Sequence, residues 1–318
     1  VVVLASGAFA EPTIRWLAQS EHEIALVVTQ PSRGSGRGRQ ATPTPVKVLA
    51  DGLVVPVAQV ENVNLPDFVA SIRGLSPRVM LAIAFGQKLG ADFLGAAPGG
   101  AINLHASLLP KYRGAAPINW AIARGETLSG CTVFRIVSKM DAGPILAQDA
   151  TDIVPDETAG DLHDRLARLG VQTVQAVLAM FEQDENPVGI AQDESLATLA
   201  PKLKKADGYV NFSLPACQIV NHIRGMTPWP GATASFVSAS GRKELVTIAR
   251  SRVCTDICDH ALAPGILNDH LHVSTSDGVL EIADIQPASG RTMSWADFVN
   301  GRRIRPGDRF EIPDFGQK

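Results

Sequence analysis

Asn103 and His105 stand two residues apart at the end of the run Gly100-Ala101-Ile102-Asn103-Leu104, and Asp141 follows thirty-six residues after the histidine in Met140-Asp141-Ala142-Gly143. In a strand, residues i and i+2 share a face, so the amide and the imidazole would emerge together where the strand ends. Ser107-Leu108-Leu109-Pro110 then leaves as a loop, because proline has no N–H to give a sheet ladder. A neutral hydrogen-bond donor, an imidazole titrating near working pH and a later carboxylate are the groups that acyl transfer needs. Each also has a plainer reading. Asn103 could tie off a strand end, His105 could fill a core, and Asp141 could open a turn before Ala-Gly. The Asn-x-His spacing and the loop behind it favour the chemical reading.

The elements that must position these groups alternate. Short β-branched runs at Val1–Leu4, Ile24–Val28, Val79–Ile83 and Ala101–Leu104 are separated by helical patterns at Pro12–Gln19, Pro45–Ala50 and Pro66–Ile72. That alternation predicts a doubly wound, mostly parallel α/β sheet of Rossmann-like type, whose ligands bind beyond the carboxyl ends of the strands. Asn103 and His105 fall there. Strands are also expected at Thr132–Val137 and Ile145–Ala150. Thr158–Phe181 follows as one amphipathic helix, with Leu162, Leu166, Leu169, Val174, Val177 and Leu178 near a 3.6 period.

The stretch Asp184–Asp207 is polar and aperiodic, a connector. Beyond it Gln218–Arg224 reads as helix, Pro228–Gly231 as a rigid turn, and short strands follow at Thr233–Val237, Leu245–Ala249, Leu271–Thr275 and Val279–Ile282. Short strands punctuated by Gly and Pro predict a small C-terminal β-barrel, OB-like in style. The expected divisions are residues 1–183, a linker at 184–207, and 208–318.

Composition agrees with two soluble domains: 318 residues, 45% apolar, 19% charged and a net charge of −3. No apolar run reaches membrane-span length and no signal segment opens the chain, so a cytoplasmic location is expected. Of four cysteines, only Cys254 and Cys258 lie close, with His260 beside them. The spacing lacks the second half of a zinc site, and no metal is expected. The charge excludes a nucleic-acid coat over the whole surface but leaves local patches. Gln30–Lys47 holds Arg33, Arg37, Arg39 and Lys47 without an acid. Lys202, Lys204 and Lys205 cluster, and Arg302, Arg303, Arg305 and Arg309 surround Asp308.

Taken together, the stretches TQPSRGSGRG, PTPVKVLA, NLHASLLPKYRGAAPINWAI, MDAGPIL, MTPWPGA and IQPASGRTMSWADFVNGRRIRPGDRF resemble the methionyl-tRNA formyltransferases. They span Thr29 to Phe310. NLHASLLP with a downstream D-x-G is shared by formyltransferases that use 10-formyltetrahydrofolate. The basic loop and the C-terminal ending point to initiator methionyl-tRNA as the acceptor. The family usually opens with G-T-P-D-F after its first strand, and this chain has Ala5-Ser6-Gly7-Ala8-Phe9.

The resemblance implies that Asn103 donates to the oxyanion. His105 would either hydrogen-bond that oxyanion or protonate the leaving nitrogen, and Asp141 would orient His105 or hold a relay water. It points to Ser107, Leu108, Leu109 and Pro110, with the apolar segment holding Leu81 and Phe85, for the folate. For the tRNA it implies Arg33, Arg37 and Arg39 in a long mobile loop, then Lys204, Lys205, Arg302 and Arg303. A monomer is expected. The nearest rival is a folate-dependent formyltransferase acting on an amino-sugar nucleotide, which would have no use for Arg37 or the C-terminal cations. A non-catalytic RNA-binding module fits poorly with 5% aromatic residues, and a nicotinamide dehydrogenase lacks G-x-G-x-x-G.

Overall fold

Runs with almost nothing polar to offer water form the middle of a seven-stranded sheet. In the computed structural model, which describes residues 1–35, 40–254 and 262–314, the chain divides into two compact units. The first comprises Val1–Pro117, Leu128–Asp152 and His163–Ala200. The second comprises Ile118–Thr127, Ile153–Leu162 and Pro201–Lys318.

The first unit begins β1 (Val2–Ala5), α1 (Glu11–Gln19) and β2 (Leu26–Thr29), then a hairpin of β3 (Arg33–Ser35) and β4 (Gln40–Thr42). It continues through α2 (Pro45–Gly52), β5 (Val57–Gln59), α3 (Pro66–Gly74), β6 (Met80–Ile83), α4 (Ala91–Leu94), β7 (Ala101–His105) and β8 (Arg113–Gly114). After α5 (Pro117–Ala123) come β9 (Leu128–Arg135), β10 (Ile145–Asp152), the 25-residue α6 (Ala159–Gln183) and β11 (Leu199–Ala200). The main sheet runs β10-β9-β7-β6-β1-β2-β5. Its five strands from β7 to β5 are parallel, while β9 and β10 are antiparallel additions. Every residue of β1 and β6 is buried, as a sheet covered on both faces requires.

One helix decides which way the site faces. A Cβ at Gly170 of α6 would come within 2.7 Å of the Leu104 side chain, so that glycine lets the helix lie close against β7. Leu104 therefore faces α6, and by strand alternation Asn103 and His105 emerge from the opposite face.

The second unit is built on α7 (Ala216–Met226), β12 (Ala232–Val237), β13 (Lys243–Cys254), β14 (Val273–Ser274), β15 (Val279–Pro287), β16 (Met293–Ser294), α8 (Trp295–Arg302) and β17 (Arg309–Glu311). Its sheet runs β14-β15-β13-β12-β17, with β16 on β15. Bridges Ile266↔Arg309 and Leu267↔Val273 join the two outer strands, so the antiparallel sheet curls into a nearly closed barrel. Phe236 and Phe310 pack together at 5.5 Å between ring centroids, with Phe212, Phe298 and Trp295 against them. Each fully buried large side chain of this kind contributes about 1.5–3 kcal/mol.

The expected elements are present with shifted ends. The strand read at Thr132–Val137 runs Leu128–Arg135, and that read at Leu271–Thr275 shrinks to Val273–Ser274 because Leu271 has φ of 58°. The expected long loop Gln30–Thr44 carries the antiparallel β3–β4 pair.

Candidate active site

Ala82 of β6 and Asn103 of β7 are register partners, and both line a cavity of about 470 Å³ at the carboxyl ends of their strands. Its wall also includes Phe85, Gly86, Phe134, Met140 and Asp141. Asn103 is half-buried, with its side chain toward this space. The amide of β7 and the carboxylate of the β9–β10 turn are thus brought to one wall from positions thirty-eight residues apart.

His105 is buried, at 7% exposure, and its Nε2 lies 2.9 Å from the Tyr112 carbonyl. A carbonyl only accepts, so Nε2 carries the proton and donates. That fixes the tautomer and leaves Nδ1 as the ring atom able to take or give a proton. The ring meets Phe134 edge-on at 6.4 Å, and Phe134 itself lines the cavity. Asp141 sits at φ of 49°, a region costly for a residue with a side chain. Its Oδ2 accepts from the Gly114 N–H at 2.8 Å. Among the described residues His105 and Asp141 share no hydrogen bond or ion pair. The partner that the imidazole has in this structure is the Tyr112 carbonyl.

Ser107, Leu108, Leu109 and Pro110 are absent from the wall of this cavity, because their groups are engaged elsewhere. Ser107 Oγ donates to the Lys111 carbonyl at 2.7 Å, and Leu108 packs over Gly130. The Leu109 N–H donates to Thr132 Oγ1 at 3.1 Å, and its carbonyl accepts from Gln148 Nε2 at 2.8 Å. The Pro110 carbonyl accepts from the Thr198 N–H at 3.3 Å. Leu81 pairs with Ile102, fully buried, on the sheet face opposite Ala82 and Asn103. Phe85 lines the first cavity and also a second of about 350 Å³ with Ser6, Gln30, Pro31, Thr42 and Thr44. Ser6, from the unusual turn, accepts from the Gln30 N–H at 3.1 Å and from Thr29 Oγ1 at 3.3 Å.

Of the predicted cations, Arg37 and Arg39 lie outside the described residues, as do Cys258 and His260, and only the backbone of Arg33 is described. Lys204 and Lys205 are exposed in the second unit. Arg302 is bound to Glu244 through Nε at 3.1 Å and Nη2 at 2.8 Å, and lies 5.1 Å from the Phe298 ring centroid. Glu244 balances its charge at that spot. Arg303 is exposed, ends α8 at φ of 56°, and borders a hollow of about 290 Å³ with Arg242 and Arg305.

Sequence reading missed the residues that hold the site's loops. Gln192 Nε2 donates to the carbonyls of Asp141 and Gly143, at 2.9 and 2.8 Å. Arg113, 5% exposed, holds Gln192 and Glu194. Hydrogen bonds from Arg113, then Lys139, pull the Glu194 carboxyl down to about 2. A polar, aperiodic stretch carries no local sign of such work.

The formyl transferase family matches residues 1–178, and the formyl transferase C-terminal domain matches 202–303. A protein of Solibacter usitatus described as methionyl-tRNA formyltransferase is 40% identical over 311 residues, covering 97% of each chain. One of Acidobacterium capsulatum with the same description is 40% identical over 314 residues, covering 97% of this chain and 98% of its own. The chain belongs to the methionyl-tRNA formyltransferase family. Its fold is similar to that of WlaRD, a sugar 3N-formyl transferase crystallised with dTDP and 5-N-formyl-THF, at TM-score 0.64 and 16% identity over 91% of this chain and 98% of that one. It is also similar to HypX from Aquifex aeolicus in complex with tetrahydrofolic acid, at TM-score 0.63 and 15% identity over 100% of this chain and 49% of that one. No helix among the described residues is long and apolar enough to cross a membrane.

Proposed function

We propose that this formyltransferase moves a formyl group from N10 of 10-formyltetrahydrofolate to the α-amine of methionyl initiator tRNA. The observation that carries the reading is the shared wall: Asn103 and Asp141 line one cavity at the carboxyl ends of parallel strands. The amine nitrogen attacks the formyl carbon, and an oxyanion develops on the former carbonyl oxygen. The bond to N10 then breaks as the amine loses a proton and N10 gains one. Asn103 donates its amide N–H to the oxyanion, where losing such a donor costs roughly 10²–10³ in rate.

With Nε2–H engaged by Tyr112, His105 works through Nδ1, which donates to the oxyanion or acts as the acid toward N10 when the ring is the doubly protonated imidazolium. Asp141, without a bond to His105, receives the amine proton through water. An α-amine titrates near 8, about where it is already partly neutral, so a weak base suffices. The donor is argued from NLHASLLP and its downstream D-x-G, and from the solved relatives' folds only in outline. Lys204, Lys205 and Arg303, with Arg33, Arg37 and Arg39, would hold tRNA phosphates. The enzyme would act as a cytoplasmic monomer, where charged tRNA is its acceptor.

The test is formyl transfer from labelled 10-formyltetrahydrofolate, with charged initiator tRNA and amino-sugar nucleotides competing as acceptors. Formylmethionyl-tRNA made by the native protein and lost in His105→Ala is expected. Formylated sugar with untouched tRNA would overturn the acceptor while keeping the chemistry.

A further inference from the structure

Asp141 is held at both its ends by one small set of residues. Its carboxylate accepts from the Gly114 N–H, while its carbonyl and that of Gly143 accept from Nε2 of Gln192. Gln192 Oε1 in turn accepts from Arg113, from Nε at 3.1 Å and Nη2 at 2.7 Å. Arg113 then reaches Glu194 at 3.0 and 3.1 Å, and Lys139, two residues before Asp141, donates to the same carboxylate at 2.6 Å. Both amide hydrogens of Gln192 therefore have work, and its oxygen accepts twice.

Residues 113 and 114 are one short strand, so the partner of the Asp141 carboxylate and the anchor of its backbone move as one body. That strand is pinned by β11, where the Ala115 N–H donates to the Ala200 carbonyl at 2.9 Å. Asp141 needs such holding, because its φ of 49° is not a conformation its turn would choose unaided. At Gly143 a Cβ would run into the Arg135 carbonyl, so the turn also has no room to slide.

We propose that Gln192 is a positioning residue, which sets the Asp141 carboxylate at the depth and angle that proton relay requires. The proposal rests on the reading of Asp141 as the proton acceptor. Gln192 touches neither substrate. It acts on the reaction through the turn alone.

The experiment is a double-mutant cycle in the full-length protein, using Gln192→Leu, Asp141→Asn and the pair, with kcat and both KM values measured. Q192L keeps the bulk and removes all four bonds, the two to the turn and the two from Arg113. It is expected to lower kcat about 10- to 100-fold, the range for a catalytic group misplaced by about an ångström, with each KM within about twofold of wild type. On the D141N background Q192L should cost no further activity, because its only route is gone. Q192E, which keeps an acceptor for Arg113 but loses the donor and sets a negative charge against the turn carbonyls, should show the same kinetic signature.

Equal loss on both backgrounds would overturn the proposal, as would a folded Q192L or Q192E with wild-type kcat. Failure of both variants to fold would make Gln192 a structural residue and overturn it too. Full activity in D141N would instead sink the reading of Asp141, an outcome the cycle separates from the others.

Discussion

Thr132→Val takes one oxygen from the interior of the first unit and changes the size of the side chain very little. That oxygen has three partners. It donates to the Ser107 carbonyl at 2.6 Å and accepts from the Leu109 N–H at 3.1 Å and Gln148 Nε2 at 2.9 Å. Thr132 has no solvent exposure, so water cannot replace it. Gln148 keeps its second acceptor, the Leu109 carbonyl, which leaves the Ser107 carbonyl and the Leu109 N–H unpaired. At about 1–3 kcal/mol for each buried orphan, and allowing for partial relaxation, the expected loss is about 2–4 kcal/mol. One decade per 1.4 kcal/mol makes this roughly a 30- to 700-fold rise in the open population of the 107–110 loop.

Native-state hydrogen exchange at the Leu109 amide reads that population directly, and a urea melt reads the global loss. Thr132→Ser is the control: it keeps the oxygen and gives up a methyl group, about 1 kcal/mol. The reasoning fails if T132V leaves Leu109 exchange unchanged, or if T132S loosens the loop as much as T132V does.

Acid should weaken the first unit partly through Glu194. Its folded carboxyl lies at about 2 against 4.5 ordinarily, so its contribution is complete above about pH 4.5 and is lost as pH falls toward 2. Glu194→Gln should remove that component, seen as a flatter stability curve between those pH values in acid titrations. Burial, then Asp149, pushes the Cys131 thiol up to about 12. A thiol reagent at pH 8 should therefore modify exposed Cys217 and leave Cys131 intact until the chain unfolds, which mass spectrometry of peptides would show. Arg302→Ala strands a half-buried Glu244 and should lower the melting midpoint by a few degrees, about the size of effect expected from one lost pair. Arg303→Ala should leave the midpoint alone and reduce the salt dependence of tRNA binding by about one counterion. Identical thermal behaviour of the two variants would contradict their different surroundings.

What could be read from the sequence was whatever has a short period. β1, β2, β6 and β7 came from runs of aliphatic residues, and α6 from a 3.6-residue stripe whose buried members include Leu162, Leu166, Val174 and Leu178. Asn103 and Phe85 were legible because a motif and a strand end coincide there. Pairings of two residues, β8 with β11, have no period to detect. The Ser107–Pro110 loop is marked by its motif, and only the fold shows that Thr132 and Gln148 hold the Ser107 carbonyl and the Leu109 N–H and carbonyl. Leu81 and Asn103 were both near the site in sequence terms, and strand parity alone separates them.

The pairing of β8 with β11 also has a meaning in time. Chains are made from the first residue onward at about 5–20 residues per second. Fifty-nine residues separate Asp141 from Ala200, so about 3 to 12 seconds of synthesis pass between them. The main sheet is complete with β10, while the clasp on Asp141 waits for Gln192 and Leu199–Ala200. A nascent chain thus has its scaffold before the turn that carries Asp141 is fastened.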